Sequence, residues 1–384
     1  MPSIIQTDLS RPASFSVCSP GRVNLLGEHV DYNEGVVLPV AVNWAVNLTV
    51  KPLIIPIVRL FASDLDAKCE FSLQELEQKQ DLNKQPLPSY ALYPASVAWS
   101  LQQAGLEVKG LEVTYTSDIP AGAGLSSSAA IQVAFALAWQ HLGGWEMPKM
   151  ELAKICQRAE NEFVGVQSGL MDQFACLFGE AEHVLRFDTR SLEWSAINLP
   201  ENTSIVIADS GVRRSLTDSA YNERRKECES AVRKLKQYLP QINSLRDVSP
   251  TQLRANLHHL APIIGMRVLH VVGEMERVSQ GTEALERQDI EKFGELMSAS
   301  HNSLKDLYQV SVPELNALVD VANAIPGCFG ARLTGAGFGG CTVNLVDSRW
   351  TDKFIALLQS GYQQRMGKEA QVYACQAALG AHIC

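Results

Sequence analysis

The sequence predicts an α+β protein of two domains, and three observations carry that reading. A chain of 384 residues exceeds what one hydrophobic core usually organises. Its first half mixes short β-rich runs with helical patterns, while its second half sets buried strand patterns beside longer helical blocks. Near Gly179 the pattern turns from helix back to strand, which places a boundary there and divides the chain into residues 1–178 and 179–384.

Taken in order, VVLPVAV, AVNLTVKP and IVRLFASD read as strands, being rich in Val, Leu and Ile between turn residues. A polar surface loop is expected from Glu75 to Pro88, a helix from Tyr93 to Gln103, and a strand at GLEVTYTSD. AAIQVAFALAWQHL (129–142) is apolar on nearly every face and reads as a buried helix. Lys149 to Phe163 reads as an amphipathic helix. Beyond Gly179, GEAEHVLRFDTRSLEW and TSIVIADSG are strands. Helical blocks follow at Ser219 to Gln237 and Met266 to Tyr308, the latter broken near Gln288 and Asp289, where the aspartate can cap the second piece. ARLTGAGFGGCTVNLV is a strand–loop–strand unit, followed by a helix from Asp352 to Arg365.

Composition narrows the partners. A net charge of −9 repels nucleic acid and anionic lipid, so any polyanion must be met by a local basic site. The nine cysteines are scattered without a C-x-x-C pair, which fits free thiols in a reducing, cytoplasmic compartment. MPSIIQTDLSRPAS has no basic region followed by an apolar one, so no signal peptide is expected. The most apolar stretch, Val36 to Val58, carries Asn43, Asn47 and Lys51 and is interrupted by Pro39, Pro52 and Pro56; it reads as strands and not as a membrane span.

Two glycine loops are candidates for phosphate contact. In SDIPAGAGLSSSAAIQVAF, Gly122 and Gly124 allow tight backbone geometry, and Ser126, Ser127 and Ser128 lead into a helix. Backbone N–H groups and hydroxyls at a helix start form an anion cradle, though a single serine there would also serve as an ordinary cap. No Gly-Lys-Ser/Thr is present, so this is not a Walker loop. The second loop, Gly335 to Gly340, matches G-x-G-x-x-G, but it continues into the strand-like CTVNLV. A dinucleotide fingerprint opens a helix at that point, so a nicotinamide-dependent oxidoreductase is disfavoured. A glycine-rich hairpin with no ligand remains the alternative.

Three charged segments stand out. CSPGRVNLLGEHVDYNEGVVLP crowds Arg22, Glu28, His29 and Asp31 between apolar strands, as either a solvated turn or a clamp for a polyhydroxyl ligand. AENEFVGVQSGLMDQF holds Glu160, Glu162 and Asp172, and Asp172 in its apolar neighbourhood is either a helix cap or a carboxylate held for chemistry. DSGVRRSLTDSAYNERRKECE gathers Arg213, Arg214, Arg224, Arg225 and Lys226, which alone reads as a solvated basic helix.

Together these segments resemble the galactokinase family, in the superfamily that also contains homoserine, mevalonate and phosphomevalonate kinases. SPGRVNLLGEHVDYNEG looks like its sugar signature, IPAGAGLSSSA like its phosphate-binding motif and GARLTGAGFGGC like its third glycine motif; the likeness runs from Cys18 to Val346. The resemblance implies a two-domain small-molecule kinase with its site in the interdomain cleft. It implies Mg²⁺-dependent transfer from ATP to the C1 hydroxyl of galactose. By position, Asp172 and Arg22 would be catalytic, and Glu28, His29, Asp31, Gly169 and Tyr221 would contact the sugar. Gly122, Ala123, Gly124, Leu125, Ser126, Ser127, Ser128, Gly335 and Gly337 would bind ATP, with Ser128 and Glu160 on the metal. A monomer binding only small molecules, without nucleic acid or membrane, is expected. Val30 stands where the family usually carries threonine, which keeps open a related sugar 1-kinase acting on N-acetylgalactosamine, L-arabinose or a uronic acid. A non-catalytic sugar sensor is the reading from another class.

Overall fold

The computed structural model describes residues 14–120, 122, 124–213 and 219–384. Its strands in chain order are β1 (Phe15–Asn24), β2 (Val36–Val37), β3 (Pro39–Leu53), β4 (Ile57–Ala62), β5 (Ala67–Ser72), β6 (Gly110–Ser117), β7 (His183–Asp188), β8 (Trp194–Asn198), β9 (Thr203–Asp209), β10 (Cys328–Leu333), β11 (Cys341–Asp347), β12 (Gln371–Cys375) and β13 (His382–Ile383). They form a six-stranded sheet in the order β13-β1-β3-β6-β4-β5, a four-stranded sheet β10-β11-β9-β12 and a small sheet β2-β7-β8. The α+β class is as the sequence predicts.

Two expected strands merge in β3. Its prolines sit at the first residue and near the far end, where a missing N–H costs least. Between them Val46, Leu48 and Val50 are buried while Asn47, Thr49 and Lys51 face outward, the period-two pattern of a sheet with one covered face.

The helices α1 (Ser89–Gln103), α2 (Ser127–Gly143), α3 (Lys149–Arg158) and α4 (Met171–Phe178) follow in the first half. The second half contributes α5 (Ser219–Leu235), α6 (Pro250–Asn256), α7 (Pro262–Glu286), α8 (Ile290–Ser303), α9 (Pro313–Asn323) and α10 (Thr351–Met366). As expected, α2 is buried along most of its length, with Phe135 and Trp139 fully enclosed. The break between α7 and α8 also falls where predicted, and the Asp289 carboxylate accepts the Lys292 amide at 3.0 Å.

The helix expected over Lys149 to Phe163 stops early. After Arg158 the turns widen into a π-helical segment, Ala159–Val164, which ends on the left-handed Gly165 (φ +97°). Single wide turns of this kind often mark functional positions, and this one carries Glu160.

One continuous core joins the six-stranded sheet, α2, α4, α7 and α8, and a smaller one packs α9 and α10 against the outer face of β10-β11-β9-β12. The chain's last residues return to the first sheet: β13 pairs with β1, and Ala378 donates to the Ala41 carbonyl at 2.9 Å. A sheet edge left open there would be a pairing hazard, and the returning tail closes it.

Candidate functional site

The site begins at a fault in β1. The register between β1 and β3 shifts between Pro20 and Gly21, and the Arg22 amide then donates to the Leu125 carbonyl at 3.1 Å. A Cβ on Gly21 would sit 2.7 Å from that carbonyl, so only glycine lets β1 reach the turn ahead of α2. The Arg22 guanidinium spans the gap: Nε donates to Asp172 Oδ1 at 2.7 Å, Nη2 to Asp172 Oδ2 at 2.8 Å, and Nη1 to the Gly124 carbonyl at 2.8 Å. Arg22 is 4% exposed while the Asp172 side chain is 25% exposed, so the fork is buried and the carboxylate keeps an open edge. Asp172 lies in the first turn of α4, whose N-terminal dipole favours a negative charge.

The three serines do different things. Ser126 is left-handed (φ +60°) and does not cap α2; its hydroxyl donates to Asp172 Oδ2 at 2.5 Å. Ser128 hydrogen-bonds the Glu160 carboxylate, which also accepts Ser168 Oγ at 2.5 Å and Gln173 Nε2 at 2.9 Å. Ser127 is the first residue of α2, half-buried. The Ser126 side chain makes no cap hydrogen bond to α2, and N–H groups at a helix start of this kind suit an anion.

A second wall comes from the turn after β1. A Cβ on Gly169 would fall within the Asp31 carboxylate, so glycine is what allows Asp31 its position. Burial, then the nearby Asp172 charge, pushes the Asp31 carboxyl up to about 7. Glu28 accepts Asn24 Nδ2 at 2.5 Å, Arg332 Nη2 at 2.8 Å and the Gly335 amide, tying this turn to the second glycine loop. His29 sits with φ +62°, its Nδ1 2.8 Å from the Tyr32 hydroxyl and its Nε2 3.2 Å from the Ala336 carbonyl. A carbonyl only accepts, so Nε2 carries the proton and Nδ1 receives the phenol's. Both nitrogens are engaged: His29 lines the cleft with a ring face and edge, not with the free polar atoms expected of a ligand contact. The Tyr221 ring stacks at a tilt 5.6 Å from that of His29.

These residues bound one cleft. Of the residues singled out in the sequence, Arg22, Glu28, His29, Asp31, Ser128, Glu160, Gly169, Asp172, Tyr221 and Gly335 line it. Gly124 and Leu125 stand behind Arg22, presenting carbonyls to it. Gly122 packs toward Arg213, and Gly337 packs against Val310, so neither lines the cleft. Ala123 and Arg214 lie outside the described residues. Val30 is fully buried in the core, so its departure from threonine does not reach the cleft. Sequence reasoning missed Tyr93, Ser168, Met171 and Phe338, which also line it. The basic segment is structural: Arg224 donates to the Tyr308 and Gln309 carbonyls, and Arg225 to Gln167.

Charge in the cleft is unbalanced. Among the described lining residues, Glu28, Asp31, Glu160 and Asp172 face one basic side chain, Arg22, with Arg332 pairing Glu28 from behind the wall. Burial pushes Glu160 upward, and its partners are hydroxyls and an amide, with no basic side chain among its described contacts. Such an oxygen-only pair, Glu160 with Ser128, fits a hard divalent cation that also meets phosphate oxygens and water. No group of three or more His, Cys, Asp or Glu side chains among the described residues could hold a metal by itself.

The chain is similar to known proteins over most of its length. Residues 7–52 match the galactokinase galactose-binding signature, residues 92–180 the GHMP kinases N terminal domain and residues 282–354 the GHMP kinases C terminal domain. A galactokinase of Roseiflexus sp. (strain RS-1) is 45% identical over 364 residues, covering 95% of this chain and 91% of that protein. One from Chloroflexus aurantiacus is 44% identical, covering 94% and 91%. The crystal structure of Lactococcus lactis galactokinase complexed with galactose superposes with a TM-score of 0.92 at 33% identity, covering 97% of this chain and 95% of that one. Methanococcus jannaschii mevalonate kinase shares the fold at a TM-score of 0.67 and 21% identity, covering 96% and 100%.

Proposed function

This chain belongs to the galactokinase family, and from that premise we infer that it transfers the γ-phosphoryl group of ATP to the C1 hydroxyl of D-galactose, giving α-D-galactose 1-phosphate and ADP. The observation that carries the reading is the meeting of the Arg22–Asp172 fork with the start of α2 on one wall of the cleft. Phosphoryl transfer needs in-line placement and neutralised charge more than covalent help. In this reading the N-terminus of α2, at Ser127 and Ser128, holds the phosphates, Asp172 accepts the C1 hydroxyl's hydrogen bond, and Arg22 offsets the charge gathering beside it. Glu28, Asp31 and Tyr221 fix the sugar, with His29 and Gly169 shaping the wall behind them.

Glu160 and Ser128 would hold Mg²⁺, which when bound would supply positive charge to the phosphate oxygens. Cytoplasmic location and a monomeric state belong to the same proposal; nine unpaired cysteines accord with a reducing compartment. Among the described residues no helix is long and apolar enough to cross a membrane.

The test is ADP release with Mg-ATP and a panel of sugars ranked by kcat/KM. Galactose heading the ranking is the expected outcome, and binding of both substrates without turnover would favour a sensor instead. A second expectation concerns Gly169→Ala. The new Cβ displaces the Asp31 carboxylate, so the galactose KM rises about 10- to 100-fold, the cost of one good charged hydrogen bond, while the ATP KM holds. Steady-state kinetics in both substrates checks it.

A further inference from the structure

We propose that Ser126 is a positioning residue for Asp172: its hydroxyl fills one carboxylate oxygen and leaves the other to face the acceptor hydroxyl of the sugar. The inference deepens the kinase reading and rests on Asp172 as the group that meets that hydroxyl.

The local geometry is unusual for a serine at a helix start. Such a serine ordinarily turns its oxygen back onto the amides two or three residues on. Ser126 makes no such bond, adopts a left-handed backbone conformation that L side chains rarely hold, and is 7% exposed. What it does instead is donate to Asp172 Oδ2 at 2.5 Å. Giving up a cap and accepting a strained backbone for one side-chain bond points to a requirement at that carboxylate.

Counting donors assigns the two oxygens. An ionised carboxylate offers two acceptor sites on each oxygen. Oδ2 receives Arg22 Nη2 at 2.8 Å and the Ser126 hydroxyl, and is full. Among the described residues, Oδ1 receives Arg22 Nε alone, at 2.7 Å. Oδ1 therefore keeps the site that points to the C1 hydroxyl. As the C1 oxygen bonds to the γ-phosphorus, the bond from that phosphorus to the β-bridging oxygen breaks, ADP leaves, and the C1 proton passes to Oδ1. Without Ser126 the two oxygens compete for the hydroxyl, and the carboxylate loses the contact that fixes its plane against the Arg22 fork. Ser128, two residues on, faces Glu160 and cannot replace it.

The experiment compares Ser126→Ala, Ser126→Gly and Ser126→Thr in the full chain, with thermal unfolding as the check of folding. Alanine and glycine both lack the hydroxyl, but glycine also relieves the left-handed strain. Both should lower kcat by about 10- to 100-fold, the worth of a charged hydrogen bond in the transition state, with KM for galactose and ATP within about twofold. Threonine should recover part of the loss despite its bulk. A Gly variant at wild-type kcat would overturn the proposal, because strain and not the hydroxyl would be at issue. A raised ATP KM at unchanged kcat would also overturn it, placing Ser126 in the phosphate cradle. If Asp172→Ala itself kept activity, the underlying kinase reading would fail; if only the Ser126 variants kept it, the positioning role alone would fail.

Discussion

Asp172→Ala is expected to lower kcat by about a thousandfold or more, leaving galactose bound with little change in affinity. A positioned general base typically contributes on the order of 100- to 10,000-fold, and Asp172 is the acidic side chain held by Arg22 at the α2 end of the cleft. Glu28 and Asp31, on the opposite wall, remain to hold the sugar. The substitution has a second cost. Arg22 is almost wholly buried, and without Asp172 its charge keeps, among the described residues, the Gly124 carbonyl and the attraction of Glu28. Stranding one partner of a buried pair costs about 3–5 kcal/mol, so the variant should also unfold at lower denaturant. Asp172→Asn separates the two effects: it keeps the shape, restores part of the stability and stays inactive. Titration calorimetry with galactose, alongside kcat, measures both. Near-wild-type turnover in either variant would refute the assignment.

The second large effect is expected far from the phosphates. Arg332, fully enclosed on β10, donates to Glu28 Oε2 at 2.8 Å, the Leu25 carbonyl at 3.1 Å and the Leu333 carbonyl at 2.9 Å. It also lies 3.9 Å from Glu274. Glu28 is already pushed upward by burial, and Arg332 is the strongest influence holding it down. Arg332→Met should therefore destabilise the fold by about 3–5 kcal/mol and raise the galactose KM, because Glu28 then takes up a proton and its ion pair to β10 is lost. Lysine should rescue little, since one ammonium cannot make three directed bonds. The sign with pH is fixed. A carboxyl whose folded value lies above its unfolded one favours the native state while protonated, and loses that favour as pH rises through the folded value. The variant should thus be relatively more stable in acid and less stable as pH climbs, read from urea midpoints across pH.

Much of this site was legible before the fold was known. Carboxylates and a histidine crowded between apolar strands at 28–31 had few uses, and the two glycine loops could be told apart by what followed each. CTVNLV after Gly340 argued against a dinucleotide-binding helix, and it is the wholly buried β11. What stayed hidden arises from pairs distant in sequence. The three serines at 126–128 look equivalent until a left-handed φ turns the first toward Asp172 and the helix turns the third toward Glu160. The wide turn at 159–164 breaks a pattern that periodicity reads as plain helix. The return of β13 to β1 rests on two residues too short to announce a strand. Tyr93 lies in a helical pattern and Phe338 between glycines of a loop, neither a mark of a cleft residue, and only tertiary packing puts them on its wall.

The central claim is that the oxygen phosphorylated is the one at C1, brought beside Asp172 at the start of α2. Phosphorus NMR of the reaction of Mg-ATP with galactose labelled with carbon-13 at C1 tests it most directly. The account predicts a single new phosphate resonance coupled to the labelled carbon, with the α-anomeric signature. A phosphate resonance uncoupled from that carbon, as in a 6-phosphate, would contradict it.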